Sequence, residues 1–220
     1  MGPWKTHKGD VMDRDRQTEV VWRSDVGVGI CQRAPDPDLY GKLYWEEYRR
    51  RDRTQMGADL TAARIAFVRR FVPWWELMVD VGVGGGRFVE ETGASGYDVN
   101  PFAIDWLKQR DRWHDIHTQP ADVFTMFDVV EHSRDWSCLR HCLHFAFVST
   151  PIYLDEADAR ASRHFKPARG EHVLYLTNNG LKWFMRQHGF EMVAYDNFET
   201  RLGRDAIGTY AFRRIKKGPE

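Results

Sequence analysis

An apolar run at residues 77–81 (LMVDV) passes without a spacer into Gly82-Val-Gly84-Gly-Gly86, and an aspartate, Asp80, sits inside the run. An apolar run of this length, bounded by glycines, reads as a buried strand. Glycines at its end let the backbone take positive φ and approach a ligand closely. The spacing is G-x-G-x-G. A dinucleotide-binding loop would need G-x-G-x-x-G, and position 87 is Arg87. A second acid, Asp98 in GYDVNP, ends the next apolar run. A carboxylate there can accept hydrogen bonds from both hydroxyls of a ribose. Together the loop and the acid read as a site for a nucleoside-containing ligand without a pyrophosphate.

From residue 77 onward, short apolar runs alternate with helical stretches. Residues 95–99, 122–127 and 144–149 predict strands, and residues 135–143 a helix. Residues 101–110 predict a helix with Asn100 as N-cap and Pro101 in its first position. Thr177 caps a further helix, in which Leu181, Phe184, Met185 and His188 follow helical spacing and which Gly189 ends. The last two runs, 190–197 and 206–213, are joined only by ETRLGRD and predict an antiparallel hairpin. Such alternation predicts an α/β fold with a mostly parallel sheet. Upstream, residues 17–23 and 26–31 predict a strand hairpin, and APDPD (34–38) a turn. Two helices follow at 39–51 and 58–71, the second stopped by Pro73. Residues 1–16 read as a loose end.

Composition narrows the partners. Lys+Arg and Asp+Glu both number 32, so the basic excess expected of a nucleic-acid or membrane-surface binder is missing. MGPWKTHKGD carries no apolar signal core, and no apolar run reaches transmembrane length. Cys31, Cys138 and Cys142 are too few for a disulfide framework and fit a reducing compartment, so a cytoplasmic protein is expected.

The segment VDVGVGGGRFVEETGASGYDVNP resembles the first two motifs of class I S-adenosylmethionine-dependent methyltransferases. FDVVEH (127–132), FVSTP (147–151) and HFKPARGEHVLYLTNNGLKWFMRQHGF (164–190) resemble the later motifs of the ubiquinone-biosynthesis O-methyltransferase-like branch. The resemblance spans residues 77–213. It implies the class I methyltransferase fold: a seven-stranded, mostly parallel sheet with a C-terminal antiparallel hairpin, flanked by helices. It divides the chain into an N-terminal extension, 1–72, and an S-adenosylmethionine-binding domain, 73–220. In the extension, Tyr44, Trp45 and Tyr48 would form part of a lid over the cofactor. The paired cysteines that precede such a segment in some relatives are reduced here to Cys31, which removes a zinc site of that kind.

The resemblance also distributes roles. Asp80, Gly82, Gly84 and Gly86 would surround the methionine part and the ribose; Asp98 would hold the ribose hydroxyls and Val99 flank the adenine. Asp115 would contact the adenine amine, while Phe127 and Asp128 would lie beside the methionine end. Glu131 and His132 would face the transfer site, where methyl transfer to an O or N of a small-molecule or nucleotide-like acceptor is implied. A neutral imidazole can take the acceptor's proton, which makes His132 and His164 the candidate bases, with His172 on the same loop as His164. Asp128, Glu131 and His132 could also ligate a divalent metal, but hydrogen-bonded supporting groups are the simpler reading and no metal is expected. Cys138 and Cys142, four apart with His141 and His144 nearby, read as the buried face of a helix rather than a zinc site. Arg49–Arg51 and Arg53 read as a solvated helix end. The rival readings are a methyltransferase acting on nucleic acid and a non-catalytic module that binds the same cofactor.

Overall fold

The computed structural model describes residues 20–33, 39–72 and 77–216. A hairpin, β1 (Val20–Arg23) and β2 (Val28–Cys31), precedes helices α1 (Lys42–Asp52) and α2 (Gln55–Arg69). Alternation follows: β3 (Met78–Val81), α3 (Arg87–Thr92), β4 (Ser95–Tyr97), α4 (Pro101–Lys108), β5 (Ala121–Phe127) and β6 (Cys142–Tyr153). The chain continues through α5 (Glu156–Ala161), β7 (Leu174–Thr177), α6 (Asn178–Gln187), β8 (Phe190–Asp196), α7 (Phe198–Arg201) and β9 (Ile207–Arg214). The expected loose end at 1–16, the turn at 34–38 and the stop at Pro73 lie outside the described residues.

The sheet has a parallel centre, β4-β3-β5-β6, as the alternation requires. The C-terminal hairpin β8–β9 is antiparallel, and β9 pairs antiparallel with β6 from Phe145↔Arg213 to Pro151↔Ile207. The sheet carries nine strands where seven are expected. Three of the nine, β7 and the hairpin β1–β2, extend the sheet from the tip of β6, which outruns β9 and leaves six strands in the rest of the sheet. The tip of β6 pairs with β7 through Ile152↔Leu176, and β7 pairs with β2 of the N-terminal hairpin. The hairpin of the N-terminal extension is thus an edge of the same sheet.

Side chains of the central strands alternate between two covered faces. Val79, Val81, Phe124, Met126, Ala146 and Val148 join one core cluster; Met78, Val123, Phe127 and Phe147 join another, with Ile65, Phe67 and Val68 of α2. Burial on both faces is what a parallel centre under helices demands. Asp80 lies directly opposite Thr125 in the parallel register.

Helix starts follow local chemistry. The Asn100 side chain accepts from Phe102 N with Pro101 behind it, and Thr177 accepts from Gly180 N, both as expected. Helix α2 begins earlier than its apolar pattern implies, because Thr54 caps it by accepting from Gly57 N at 3.1 Å. Residues 135–143 form no α-helix: a 3-10 turn, Ser137–His141, gives way to Cys142, which already begins β6. Cys138 and Cys142 therefore share a core cluster rather than a helix face. No helix among the described residues is long and apolar enough to cross a membrane.

Candidate active site

Three strand ends build the floor of a cavity of about 750 Å³. Asp98 follows β4, the glycine loop follows β3, and Phe127-Asp128 ends β5; all of them line the space. Adjacent carboxyl ends in a parallel sheet are where ligands bind in such folds. The loop starts with Gly82 N donating to Tyr97 O at 2.7 Å. Gly82 has φ +73°, and a Cβ there would lie 2.4 Å from Val129 Cγ2. Gly86 has φ +85°, and its Cβ would lie 2.5 Å from the Trp106 ring. Both positions therefore exclude side chains twice, by conformation and by space.

The buried Asp80 carboxylate accepts from the Thr125 hydroxyl at 2.6 Å. Burial pushes its pKa up to about 7. Asp98 is raised to about 6 by burial, against backbone N–H groups that favour the charged form. One of these, Asn100 N, donates to Oδ1 at 2.8 Å. Asp98 thus steadies the turn into α4 while facing the cavity. Val99 is exposed at its rim.

Helix α1 roofs the glycine loop. Tyr40, just before it, and Tyr44 and Tyr48 on it line the cavity, with Tyr44 and Tyr48 stacked 4.5 Å apart. Trp45 packs against Trp106, at 5.7 Å, and does not line the cavity. Polar bonds hold the roof down: Arg49 donates to Gly85 O at 2.6 Å, and Asp52 accepts from Arg87 N at 3.1 Å. Arg49 is accordingly a tie to the loop rather than part of a solvated end, whereas Arg50 and Arg51 pair with Glu47 on the helix surface.

Beside Phe127 a four-membered charge cluster closes the floor. Arg64 donates to Asp128 and Glu199, both at 2.8 Å. Arg204 grips both carboxylate oxygens of Asp128, at 2.9 and 3.0 Å, and also pairs with Glu199. Burial alone would raise the Asp128 pKa, but the two guanidiniums hold it far below the usual carboxylate range. Asp128 sits at φ 60°, a conformation unusual outside glycine, asparagine and aspartate, and this clamp holds it there.

His132 meets His172 edge-on, with centroids 4.8 Å apart, and His164 stacks on His172 at 6.3 Å. His132 Nδ1 lies 2.7 Å from Glu171 O, so this nitrogen carries the proton and Nε2 presents a lone pair. Burial lowers the pKa of His132, and it lowers that of His172 to about 3. Glu131 is raised to about 8 by burial and then by the Asp128 charge, and it accepts from Thr150 at 2.9 Å. Glu131, His132 and His172 each place one ligand atom within 4.8 Å of the others. His172 Nδ1 is buried without a hydrogen-bond partner. Two neutral imidazoles and a carboxylate suit a borderline divalent cation, and an orphaned buried nitrogen is what a missing ligand partner leaves. Asp128, the first acid of the D-x-x-E-H run, stands outside this group because the arginines hold it.

Of the residues singled out in the sequence, Asp80, Gly82, Gly84, Asp98, Val99, Phe127, Asp128 and His132 line the cavity. Gly86 lies under the loop and His164 lies outside the lining. Asp115 also stays outside: its carboxylate is occupied by His117 N at 3.0 Å and the Thr118 hydroxyl at 2.6 Å, and Ile116 and His117 line the wall instead. Arg64, Arg204 and Tyr40 were not anticipated. Nothing periodic marks them, since they reach the site across 64 to 92 residues of chain.

No family model and no curated protein matches the sequence. Solved structures do match. Magnesium protoporphyrin IX methyltransferase from Synechocystis PCC 6803, with bound S-adenosylhomocysteine, superposes at a TM-score of 0.58 and 13% identity, over 81% of this chain and 97% of that one. An S-adenosylmethionine-dependent methyltransferase of Thermotoga maritima matches at 0.55 and 13% identity, over 78% and 97%. A chain of the complex between the Haloferax volcanii Trm112 methyltransferase activator and a methyltransferase matches at 0.58 and 11% identity, over 81% and 99%. With its mostly parallel sheet and antiparallel C-terminal hairpin, the chain has the class I methyltransferase fold.

Proposed function

We propose that the protein binds S-adenosylmethionine and transfers its methyl group to an O or N of a small-molecule acceptor. One observation carries this reading: Asp98 and the glycine loop, at adjacent strand ends, face one cleft that Phe127 and Asp128 continue. Asp98 would hold the ribose, Val99 and Ile116 flank the adenine, and Asp80 with Gly82 and Gly84 take the amino-acid end. The structural neighbours are methyltransferases, and the cyanobacterial one carries S-adenosylhomocysteine, which supports the same ligand here. We assign the finer branch, that of ubiquinone-biosynthesis O-methyltransferases, on FDVVEH and the histidine loop alone. The three buried cysteines fit the cytoplasm.

The displacement itself is in-line on an already activated sulfonium, so the protein supplies orientation, exclusion of water and a destination for the acceptor's proton. His132 Nε2 is that destination: its other nitrogen is committed to Glu171 O. The roof of Tyr40, Tyr44 and Tyr48 closes the acceptor side with an aromatic wall. A second reading is favoured by the orphaned His172 nitrogen. Glu131, His132 and His172 would hold a divalent cation, which would supply a Lewis acid for a hydroxyl acceptor.

Calorimetric titration tests the first reading. Micromolar or tighter binding of S-adenosylhomocysteine, with no binding of NAD, is expected; the reverse result overturns it. Titration of metal-free protein with Zn²⁺, Mn²⁺ and Mg²⁺, repeated on His172→Ala, tests the second, with loss of binding in the variant expected.

A further inference from the structure

We propose that the buried Asp80 carboxyl carries a proton before the cofactor binds and that the ammonium of the cofactor's amino-acid tail displaces it, so that capture of the cofactor releases a proton and is weakened by acid. The proposal rests on the S-adenosylmethionine reading above and adds a mode of regulation to that site.

Asp80 is buried in β3, yet it lines the cavity. An ionised carboxylate offers about four lone-pair sites to donors. Among the described residues, Asp80 has one side-chain donor, the Thr125 hydroxyl of β5 at 2.6 Å, and no ion pair. The charged groups that face it come from three other places. Asp52 of α1 and Asp98 after β4 repel its charge, and Arg64 of α2 attracts it. Arg64 spends its bonds on Glu199, Asp128 and Ser149, none of them on Asp80. Three carboxylates, Asp52, Asp80 and Asp98, therefore line one cavity. Neighbouring carboxylates shielded from water do not all ionise, and the one with the fewest donors keeps its proton. Asp98 is better served: the amides of Val83, Gly84, Val99 and Asn100 favour its charged form. Asp52 accepts from Arg87 N. The pKa values, about 7 at Asp80 against about 6 at Asp98, follow that order.

An ammonium changes this balance. It brings three donors and a full positive charge to a carboxyl short of both. Asp80 then ionises: its O–H bond breaks, the electron pair stays on the carboxylate and the proton leaves to solvent, while the ammonium keeps its own three protons. Asp80 has a lower pKa with the ligand than without it. Affinity is therefore full above pH 7 and declines as pH falls through 7. A ligand without the ammonium has no such effect on Asp80.

Calorimetry on the full-length protein at pH 6.5, in phosphate and in imidazole buffer, counts the protons, because each buffer takes them up with a different heat. S-adenosylhomocysteine should release about 0.7–1 proton, and 5′-methylthioadenosine, which lacks the ammonium, about a third of that or less. From pH 7.5 to pH 6, S-adenosylhomocysteine binding should weaken by about tenfold or more and methylthioadenosine binding by about twofold. Asp80→Asn, with folding checked by thermal melting, should bring S-adenosylhomocysteine down to the methylthioadenosine values in both measurements. Binding of S-adenosylhomocysteine without proton release, equal release by the two ligands, or full release that survives in Asp80→Asn overturns the proposal. The comparison of the two ligands on wild-type protein needs no variant to fold. Wild-type protein that binds neither ligand at either pH overturns the cofactor reading itself, a result distinct from the others.

Discussion

Asp98 serves two partners: it accepts from the Asn100 amide and it faces the cavity. The two roles separate experimentally. Asp98→Ala is expected to weaken S-adenosylhomocysteine binding by about 2–4 kcal/mol, the range for a charged hydrogen-bonding group, while Asn100 keeps α4 capped. An unchanged dissociation constant in a folded variant would leave Asp98 as a turn residue only. Asp80 carries a different signature. Burial raises it from 3.8 to about 7, so the apo fold binds its proton more tightly than the unfolded chain does. The stability this confers is complete below pH 4 and is lost as pH rises through about 7. Asp80→Asn should thus melt higher than wild type at pH 8, by up to about 4 kcal/mol in stability, yet equal it near pH 4. At the same time it should bind the cofactor more weakly. His132 gives the third residue-scale expectation. His132→Ala should lower turnover about 10²-fold with cofactor affinity unchanged. Because burial lowers its pKa, the wild-type rate should hold below pH 6.5 before falling. Full activity in the variant would remove the base role. His164, outside the cavity lining, should matter less.

At the scale of elements, α1 is unusual because none of its residues is buried. Its attachment combines polar ties to the glycine loop with the packing of Trp45 on the Trp106 cluster. Gly85 shows how tight that seat is: a Cβ there would lie 2.4 Å from Asp52 Oδ2 and 2.5 Å from Tyr48 O. Gly85→Ala should lift α1, raise amide exchange across residues 42–52 and loosen cofactor binding, while the sheet melts nearly as before. Unchanged exchange there would show that α1 stands without this contact. The sequence could not announce this, because Gly85 falls outside the G-x-G-x-G spacing that drew notice to its neighbours. Caps and breakers were more legible. Asn100, Pro101, Thr177 and Gly189 act locally, through bonds to residues a few positions away, so they read correctly from the chain. Strand β7 was missed because LYLT is short and sits between a histidine loop and a helix. What makes it a strand is pairing with β6 and β2, which no local pattern encodes.

For the whole molecule, the N-terminal hairpin is structural as well as peripheral. Val20, Val28 and Cys31 are buried in the main core cluster, and β2 covers one edge of β7. A chain lacking residues 1–31 should lose several kcal/mol and melt lower by about 10 °C or more, since each buried apolar side chain is worth about 1.5–3 kcal/mol. Retention of the full melting temperature would mark the hairpin as dispensable. The order of strands has another consequence. β9 comes after all its neighbours in the chain, yet it lies between β6 and β8. Arg204 and Glu199, which clamp Asp128 and Arg64, sit just ahead of it. On a ribosome, residues 1–190 would emerge with the long edge of β6, including Phe145 and Phe147, still waiting for a partner. The earlier half of the cavity floor would be present but unclamped. A nascent chain of this design keeps that edge exposed and Asp128 unclamped until residues 199–214 have followed, and chaperones are the natural custodians of the interval.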